Sequence, residues 1–375
     1  MSVSIPTEHK AAVFSGETED KKIIKIVTTP TLSPGKGQLL IKSEAAALNP
    51  TDWKHIVFGW GDAGNVVGSD VAGVVLAVGE GVEGFEIGDH VSAFAHGGYT
   101  PHPTEGVFQE YALIAADLTL KHKHLTKATK SETPIGDIET FEDAASVNLG
   151  LVTIGMSFYH FLKLRFNAEE QKGKAIIIWG GATATGALAI QVAKILGLEV
   201  LTVASKKHEA NLKSLGASAV FDYHDSDVVE QIKKYGGDRI VYGFDTVSNE
   251  TSFNSTYDAL SDNEPSIIDN LLFLAKDSIK NVKPKDNVTF SEGTLVYLVL
   301  GEDSVFAKGT VVFKSNPSIK KDHLEFLKDL RKLVYNKQIK HAPITVLPNG
   351  LDSVEEGLSL LRNDKVSFTK LTISF

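Results

Sequence analysis

The sequence contains no cysteine among its 375 residues. This absence excludes disulfide bonds, thiolate nucleophiles and every zinc site built on cysteine. A chain of this length still has room for two domains of ordinary size, each with its own hydrophobic core. Stability and any metal chemistry must therefore come from other residue types.

Long apolar segments and an excess of basic residues are missing as well. No run approaches the roughly 20 apolar residues that a membrane-spanning helix needs, and neither MSVSIPTEHK nor the final TISF resembles a targeting signal. The formal net charge of −9 argues against binding to a nucleic-acid backbone. We therefore expect a cytoplasmic globular protein with no membrane and no nucleic acid among its partners.

The first third of the chain has the pattern of an all-β unit. Short apolar runs alternate with glycine and proline between about residues 10 and 115, as in KAAVFSG, QLLIKSEAAAL, GVVLAVG and DHVSAFA. The polar stretch KHKHLTKATKSETP at 121–134 then indicates a surface loop. Its histidines, His122 and His124, have no third ligand at suitable spacing, so a solvated loop is favoured over a metal site.

Between about residues 174 and 300, aliphatic and amphipathic segments alternate, which is typical of βα units around a parallel sheet. The predicted strands are KAIIIWG, EVLTVAS, AVFDY, RIVYGFDTVS, SIIDNLLF and GTLVYLVL. The predicted helices are GALAIQVAKILG, KKHEANLKSLG and DSDVVEQIKKYGG. Two further helices, HLEFLKDLRKLVYNKQI and LDSVEEGLSLLRN, and the strand KLTISF follow. The fold class is therefore α/β.

The segment WGGATATG, residues 179–186, joins a predicted apolar strand to a predicted helix. A glycine-rich turn in this place directs backbone N–H groups and the positive end of the helix to one point, where a pyrophosphate can bind. In this interpretation Gly181 permits the tight turn, Thr183 replaces the usual second glycine, and Gly186 lets helix and strand pack closely. The alternative is a structural bend. The candidate phosphate-binding residues are Gly181, Ala182, Thr183, Ala184, Thr185 and Gly186.

The end of the second predicted strand indicates which nucleotide is bound. Cofactors with a free 2′-hydroxyl group are usually held by an Asp or Glu about 20 residues beyond the glycine turn. Here the strand continues into Ser205, Lys206 and Lys207 instead. A hydroxyl and two cations suit a 2′-phosphate, and Tyr223 after the third strand would add a second hydroxyl. The pattern favours NADPH over NADH, the alternative being that the lysines form a solvated helix start.

Several motifs together resemble the zinc-free quinone oxidoreductase and enoyl reductase branch of the medium-chain dehydrogenases/reductases. They are ALNPTDWK at 47–54, GSDVAGVV at 68–75, GDHV at 88–91, GVFQEY at 106–111 and the glycine turn. GGATATG and VFDYHD are similar to a fungal subgroup that includes trans-acting enoyl reductases and yeast dehydrogenase-like proteins. The resemblance implies a GroES-like β-rich catalytic domain, residues 1–145 and 316–375. It also implies a Rossmann domain with a doubly wound parallel sheet, residues 146–315, that binds NADPH.

One motif departs from the zinc-dependent members of that superfamily. They place a zinc-binding histidine in Gly-His-Glu, where this chain has Gly68-Ser69-Asp70, and their cysteine ligands are absent. Without a Lewis acid to bind an alkoxide, alcohol oxidation loses its main stabilisation of charge. We therefore expect no metal site and a reductive activity.

Three residues are candidates for the reaction itself. Lys54 resembles a cleft lysine of the fungal enoyl reductases and would stabilise an enolate, with an ordinary surface lysine as the alternative. Thr153 resembles a family position beside the nicotinamide, or else it caps a helix. Asn270 follows the strand SIID, where its amide would face nicotinamide or substrate, or else stabilise a turn. Asn49 is a candidate for cofactor contact, although Asn-Pro also favours a turn.

Together these observations predict a zinc-independent, NADPH-dependent oxidoreductase. Its substrates would be activated double bonds or carbonyls in small hydrophobic molecules such as enals, enones, quinones and aldehydes. One alternative is a partner protein that reduces an enoyl chain tethered to a carrier protein, and another is an NADPH-binding sensor without fast turnover. The family resemblance implies either a homodimer paired through an edge strand, for which GTLVYLVL is the candidate, or a monomer. His55 and His96 are interpreted as structural residues rather than proton donors.

Overall fold

The chain divides into two compact units in the computed structural model, which describes residues 4–17 and 21–375. The first unit comprises Met1–Leu149, Glu302–Ser315 and Leu330–Phe375, and the second comprises Gly150–Gly301 and Asn316–Asp329. This division differs from the expected one at residues 146–149 and, over a longer stretch, at residues 302–329. The reason lies in tertiary contacts, which local sequence patterns do not report.

Two contacts illustrate the longer difference, at residues 302–329. The Tyr99 hydroxyl donates to the carbonyl of Asp303 at 2.9 Å, so the segment 302–315 belongs to the first unit. The carboxylate of Asp322 lies 2.8 Å from the imidazole of His160 and 3.2 Å from the guanidinium of Arg165, so the segment 316–329 belongs to the second.

The described residues form twenty strands and ten α-helices, numbered in chain order. The strands are β1 Glu8–Phe14, β2 Ile24–Pro30, β3 Gln38–Ala47, β4 Asp70–Val78, β5 His90–Phe94, β6 Tyr111–Ala115, β7 Leu120–His122, β8 Glu132–Thr133, β9 Gly136–Asp137, β10 Ala175–Trp179, β11 Glu199–Val203, β12 Ala219–Phe221, β13 Ile240–Asp245, β14 Ser266–Asn270, β15 Val288–Phe290, β16 Ser304–Phe306, β17 Val311–Phe313, β18 Lys340–His341, β19 Ile344–Leu347 and β20 Lys370–Ser374. The helices are α1 Pro50–Val57, α2 Phe141–Ala145, α3 Asn148–Ile154, α4 Ala168–Gln171, α5 Ala184–Ile195, α6 Glu209–Ser214, α7 Val228–Gly236, α8 Glu250–Ala259, α9 Pro317–Tyr335 and α10 Val354–Arg362. A π-helix, Gly155–Phe161, follows α3 directly. None of the helices in the described ranges is both long and apolar enough to cross a membrane.

The first unit is built on an eight-stranded sheet. Seven strands follow the order β7-β5-β4-β3-β20-β19-β8, and β6 pairs with the same central strand β3. The pairs are antiparallel except for β19 with β20. β20 is the predicted closing strand KLTISF, and it brings the far end of the chain to the centre of this sheet. The expected β-rich unit is therefore confirmed.

The second unit contains a six-stranded sheet in the order β12-β11-β10-β13-β14-β15. Every pair is parallel, and the order by chain position is the 3-2-1-4-5-6 order of the Rossmann fold. All five residues of β10 are buried, as expected for a central strand covered on both faces. The predicted doubly wound parallel sheet is confirmed, and its carboxyl edge is where such folds bind nucleotides.

Two parts of the second unit differ from the sequence predictions. GTLVYLVL is not a strand, because Val296–Leu300 forms a 3₁₀ helix, and the edge strand is β15. A short apolar run that is buried on all sides has no period to distinguish strand from helix. The predicted dimer contact through an edge strand GTLVYLVL is therefore wrong, because this segment is not a strand. Helix α8 was not predicted, since its sequence is rich in Ser and Thr, but it buries Phe253 and Tyr257 four positions apart against the sheet.

The polar stretch at 121–134 is less solvated than expected. His122 lies in β7, is buried, and has its Nε2 atom 2.8 Å from the Ser92 hydroxyl oxygen. The His124 ring stacks on that of His90, with the ring centroids 5.2 Å apart. His122 is therefore a structural residue held by β5, whereas the sequence pattern indicated a loop.

Candidate functional site

The glycine turn after β10 is tight and packs closely against the neighbouring strand β11. Gly180 has φ of +87°, so the tight turn depends on this residue rather than on Gly181 as predicted. The amides of Gly180 and Gly181 both donate to the carbonyl of Val203 at 3.0 Å. A Cβ atom on Gly181 would lie 2.1 Å from the Thr202 hydroxyl oxygen. Gly181 is therefore required for close approach to β11.

Thr183 fixes the start of α5. Its hydroxyl oxygen accepts the amide hydrogen of Gly186 at 2.9 Å and lies 2.9 Å from the hydroxyl oxygen of Thr246. A Cβ atom on Gly186 would lie 2.2 Å from the carbonyl oxygen of Gly180, so helix and strand are as close as a glycine allows. The intervening residues, Ala182 to Thr185, are partly exposed. This close, partly open start of a 12-residue helix fits a pyrophosphate group.

The loops after β11 and β12 bring the remaining candidate nucleotide residues to one edge of the sheet. Lys206 and Lys207 are exposed, Ser205 is partly exposed, and Tyr223 is 52% exposed. β11 and β12 are neighbouring parallel strands, so these loops leave the sheet side by side. Asp222 follows β12 directly, and its carboxylate accepts the amide hydrogen of Lys206, in the loop after β11, at 2.9 Å. Sequence reasoning missed Asp222, which looked like the end of a strand.

Asn49 lies in a buried polar cluster at the start of α1. Its amide nitrogen Nδ2 donates to the Asp70 carboxylate at 2.8 Å, and its Oδ1 atom accepts a hydrogen bond from Lys370. Its backbone N–H donates to the Asp52 carboxylate at 2.7 Å. Asn49, Asp52, Asp70 and Lys370 are all at most 5% exposed. The side chain of Asn49 is thus held in the first unit by Asp70 and Lys370, and its backbone by Asp52.

The cluster contains two carboxylates and one ammonium group. Asp52 also accepts a hydrogen bond from the Ser69 hydroxyl at 2.8 Å, and Asp70 lies 3.4 Å from Lys370 Nζ. Burial raises the pKa of Asp52 to about 7, although the bonds from Asn49 and Ser69 act in the opposite direction. Burial also raises the pKa of Asp70, against the attraction of Lys370. With one cation for two carboxyl groups, the cluster favours retention of a proton on Asp52.

Lys54 projects from α1 next to a group of aromatic rings. Its side chain is half-buried, and Nζ lies 5.8 Å from the centroid of the Trp53 ring. Phe58 is 52% exposed and has its ring centroid 6.1 Å from that of Trp53 and 5.2 Å from that of Trp60. Burial lowers the pKa of Lys54. Its ammonium group therefore sits in partly apolar surroundings rather than in bulk water.

The two nearby histidines bind each other. His55 and His96 are buried, and their Nε2 atoms lie 3.2 Å apart. Burial lowers the pKa of His55 to about 4 and that of His96 well below its ordinary value. Both rings are therefore neutral at pH 7, which agrees with the structural interpretation.

Thr153 and Asn270 lie in the second unit. Thr153 is buried within α3, five residues after its first residue, so it is not a helix cap. Asn270 ends β14, and its Oδ1 atom accepts the amide hydrogens of Leu272 and Leu274 at 3.1 and 2.9 Å. Its Nδ2 atom donates to the carbonyl of Leu274 at 2.8 Å. The Asn270 amide therefore shapes the loop that follows β14.

Two family descriptions and several proteins match this chain. The alcohol dehydrogenase GroES-like domain matches residues 35–124, and the zinc-binding dehydrogenase family matches residues 184–306. The uncharacterized protein YNL134C of Saccharomyces cerevisiae is 36% identical over 99% of both chains. The trans-enoyl reductase resD of Aspergillus sclerotiorum is 35% identical over 89% of this chain and 92% of its own. The chain belongs to the medium-chain dehydrogenase/reductase superfamily.

Within this superfamily the chain is an oxidoreductase of the quinone reductase- and enoyl reductase-like subgroup. The quinone oxidoreductase of Coxiella burnetii has a TM-score of 0.68 at 25% identity, covering 98% of this chain and 99% of its own. A mycobacterial protein solved in complex with NADPH has a TM-score of 0.66 at 21% identity, covering 98% and 100% of the two chains. At this identity the likeness to the mycobacterial protein shows a shared fold.

The zinc site of this superfamily is not reproduced by the residues present. At the Gly-His-Glu position, the Ser69 hydroxyl donates to Asp52, and Asp70 pairs with the Lys370 ammonium group. An ammonium group next to the carboxylate opposes a second cation there. In residues 4–17 and 21–375, no group of three or more His, Cys, Asp or Glu side chains is arranged to hold a metal. These residues do not fit a zinc ion.

Proposed function

We propose that the protein is a zinc-independent, NADPH-dependent reductase of activated C=C or C=O bonds in small hydrophobic carbonyl compounds such as enals, enones, quinones and aldehydes. The observation that carries the proposal is the environment of Lys54. Within the described residues, no carboxylate lies within ion-pair distance of this half-buried ammonium group, and the Trp53 ring centroid lies 5.8 Å from its Nζ atom. A cation so placed suits an acceptor that becomes negatively charged during reduction.

The chemistry assigns a definite task to Lys54. NADPH, when bound, supplies a hydride, and reduction then leaves negative charge on the carbonyl oxygen of the acceptor. A pre-positioned ammonium group stabilises that charge more strongly in partly apolar surroundings than in water. Because burial lowers its pKa, Lys54 is also a better proton donor near neutral pH than a solvated lysine. The flat faces of Trp53 and Phe58 suit planar conjugated acceptors.

The loops after β11 and β12 support the choice of NADPH. Lys206 and Lys207 are exposed cations, and the carboxylate of Asp222 is occupied by backbone amides. In the proposal Gly181, Ala182, Thr183, Ala184, Thr185 and Gly186 hold the pyrophosphate. Ser205, Lys206, Lys207 and Tyr223 hold the 2′-phosphate.

The remaining candidates have supporting tasks. In the proposal Thr153 would lie beside the nicotinamide, as its family resemblance implies. Asn270 positions the loop after β14 through its three hydrogen bonds to the backbone. Asn49 acts through the buried cluster at the start of α1 rather than by a free amide. Zinc independence is supported by the Ser69 and Asp70 contacts and by the absence of cysteine from the sequence.

The test measures the affinity for NADPH and NADH and then NADPH oxidation at 340 nm with an enal, an enone, a quinone and an aldehyde. The variant Ser205→Ala/Lys206→Ala/Lys207→Ala should lose affinity for NADPH but not for NADH. The control Lys234→Ala/Lys283→Ala removes two exposed lysines elsewhere in the second unit and should bind NADPH normally. Wild-type preference for NADH would contradict the cofactor assignment. Tight NADPH binding without turnover of any acceptor would favour a sensor.

A second candidate function is reduction of an enoyl thioester bound to a carrier protein. It is favoured by the trans-enoyl reductase relatives, one of which is 35% identical over 89% of this chain. Turnover of an enoyl-pantetheine thioester, or of an acylated carrier protein, with no turnover of free enals would support it. Faster turnover of free enals than of either thioester would favour the first proposal.

A further inference from the structure

Asp222 joins the two loops that would surround the adenosine end of the cofactor. Its Oδ2 atom accepts the backbone amide hydrogen of Lys206 at 2.9 Å, in the loop after β11. Its Oδ1 atom accepts the backbone amide hydrogen of His224 at 3.0 Å and lies 2.6 Å from His224 Nδ1, in the loop after β12. One carboxylate thus holds both loops by direct bonds.

The residues on either side of these bonds are the proposed phosphate ligands. Lys206 and Lys207 lie in the first loop, and Tyr223 lies between Asp222 and His224 in the second. The Tyr223 ring centroid is 4.1 Å from that of His224, so the tyrosine packs on the residue that Asp222 binds. The carboxylate therefore determines where two cations and one phenol stand relative to each other.

A carboxylate at the end of the second strand of a Rossmann sheet usually selects against a 2′-phosphate, because the negative charges repel each other. Asp222 follows β12, the next strand in the sheet, so its charge lies close to the same position. In this chain both oxygens of Asp222 already accept hydrogen bonds from the protein. The pair with His224 offsets its charge further when the imidazole is protonated. The carboxylate is directed at the protein backbone. The exposed cations Lys206 and Lys207 lie in the loop after β11, and the exposed carboxylates of Asp225 and Asp227, further along the loop after β12, accept hydrogen bonds from Gln231.

We infer that Asp222 is a positioning residue that makes this site selective for NADPH over NADH. It acts through Lys206, Lys207 and Tyr223 rather than by contact with the cofactor. The inference rests on the proposed NADPH-binding function. It reverses the usual effect of an acid at this edge, since removal of the negative charge should weaken binding of the 2′-phosphate instead of strengthening it.

The test compares three variants of the full chain. Asp222→Asn has a single acceptor oxygen and can hold only one of the two loops. Asp222→Glu keeps the charge but displaces both oxygens by one methylene group. Glu209→Gln removes a charge near Lys206 that bonds to neither loop, since Glu209 pairs with Lys213 at 2.7 Å. The dissociation constants of NADPH, NADH, adenosine 2′,5′-bisphosphate and AMP are measured for each.

We expect both Asp222 variants to bind NADPH and adenosine 2′,5′-bisphosphate about tenfold more weakly, which is the effect of losing a hydrogen bond to a charged group. The dissociation constants of NADH and AMP should change by less than about twofold in the Asp222 variants, because these ligands have no 2′-phosphate for the lysines to bind. The constants of Glu209→Gln should resemble those of the wild type, because the lysines keep their positions and an exposed charge contributes little. Tighter binding of NADPH to Asp222→Asn, or a normal constant for Asp222→Glu, would overturn the inference, since charge and not position would then decide. Equal weakening of all four ligands would do the same.

Two further measurements keep the outcomes distinct. The thermal midpoint of each variant shows whether it folds, and if Asp222→Asn does not fold, the constants of Asp222→Glu decide. A wild-type protein that binds NADH and NADPH equally contradicts the proposed cofactor. A wild-type preference for NADPH that survives both Asp222 variants contradicts only the role of Asp222.

Discussion

Replacement of Asp52 by Asn should stabilise the protein at neutral pH and leave it unchanged in acid. Asn can keep both native contacts of this buried side chain, because its oxygen can accept the Asn49 amide hydrogen and its nitrogen can donate to the Ser69 hydroxyl. Shape and hydrogen bonding are conserved. The variant therefore differs from the wild type mainly in that position 52 cannot ionise.

The magnitude follows from the pKa of Asp52. Burial raises this pKa from an ordinary 3.8 to about 7 in the folded protein. Each pKa unit corresponds to about 1.4 kcal/mol, so ionising Asp52 in the folded state costs about 4 kcal/mol. Because the folded state holds the proton more tightly than the unfolded state, protonation of Asp52 favours folding, and this stabilisation is complete below about pH 4. It is lost as the pH rises through about 7.

The assay is urea-induced unfolding at several pH values from 4 to 8. The free energy of unfolding of Asp52→Asn should exceed that of the wild type by a gap that widens by about 1.4 kcal/mol per pH unit up to pH 7 and then levels off. The exposed Asp352→Asn serves as a control and should follow the wild-type profile. Parallel profiles for Asp52→Asn and wild type would refute the reasoning, because they would mean that Asp52 is ionised throughout.

Two further changes test the glycine turn and the proposed reaction. Gly186→Ala places a methyl group 2.2 Å from the Gly180 carbonyl oxygen, so it should lower the free energy of unfolding by about 1–3 kcal/mol and abolish tight nucleotide binding. Gly35→Ala meets only the Gln38 side chain, at 3.2 Å, and should bind nucleotide normally in the same titration. Lys54→Met should lower kcat/KM for an enone by about 100-fold without changing the NADPH dissociation constant. Recovery of part of the rate in Lys54→Arg would support a charge effect, and an unchanged rate in Lys54→Met would exclude it.

Much of the second unit could be predicted from the sequence because its signals are local. β10, the glycine turn and α5 lie within residues 175–195, and their apolar pattern and turn residues are sufficient to recognise them. The role of each glycine was harder to predict. A positive φ is required at Gly180, whereas Gly181 is required because it touches Thr202 on the neighbouring strand. A glycine-rich turn can be recognised from the sequence. The atom that a Cβ on Gly181 would clash with belongs to Thr202 on another strand, so this requirement cannot be predicted from the turn itself.

The environment of each charged residue could not be predicted. Lys370 binds Asn49 across 321 positions of sequence, because β20 returns to pair with β3. Asp222 holds the Lys206 amide across 16 positions, because β11 and β12 are neighbours in the sheet. No local sequence pattern near Lys370 or Asp222 predicts that they bind Asn49 and the Lys206 amide.

The sequence by itself determined the superfamily, the parallel sheet and the position of the nucleotide turn, since these depend on apolar periodicity and on motifs within short segments. The tertiary structure alone decided that GTLVYLVL is a 3₁₀ segment and that Asn270 serves its own loop. It also decided that Asp52 is placed to retain a proton. The physical reason is that burial and hydrogen-bond partners are properties of the packed chain. A residue's pKa and its available donors are therefore defined only after distant segments have come together.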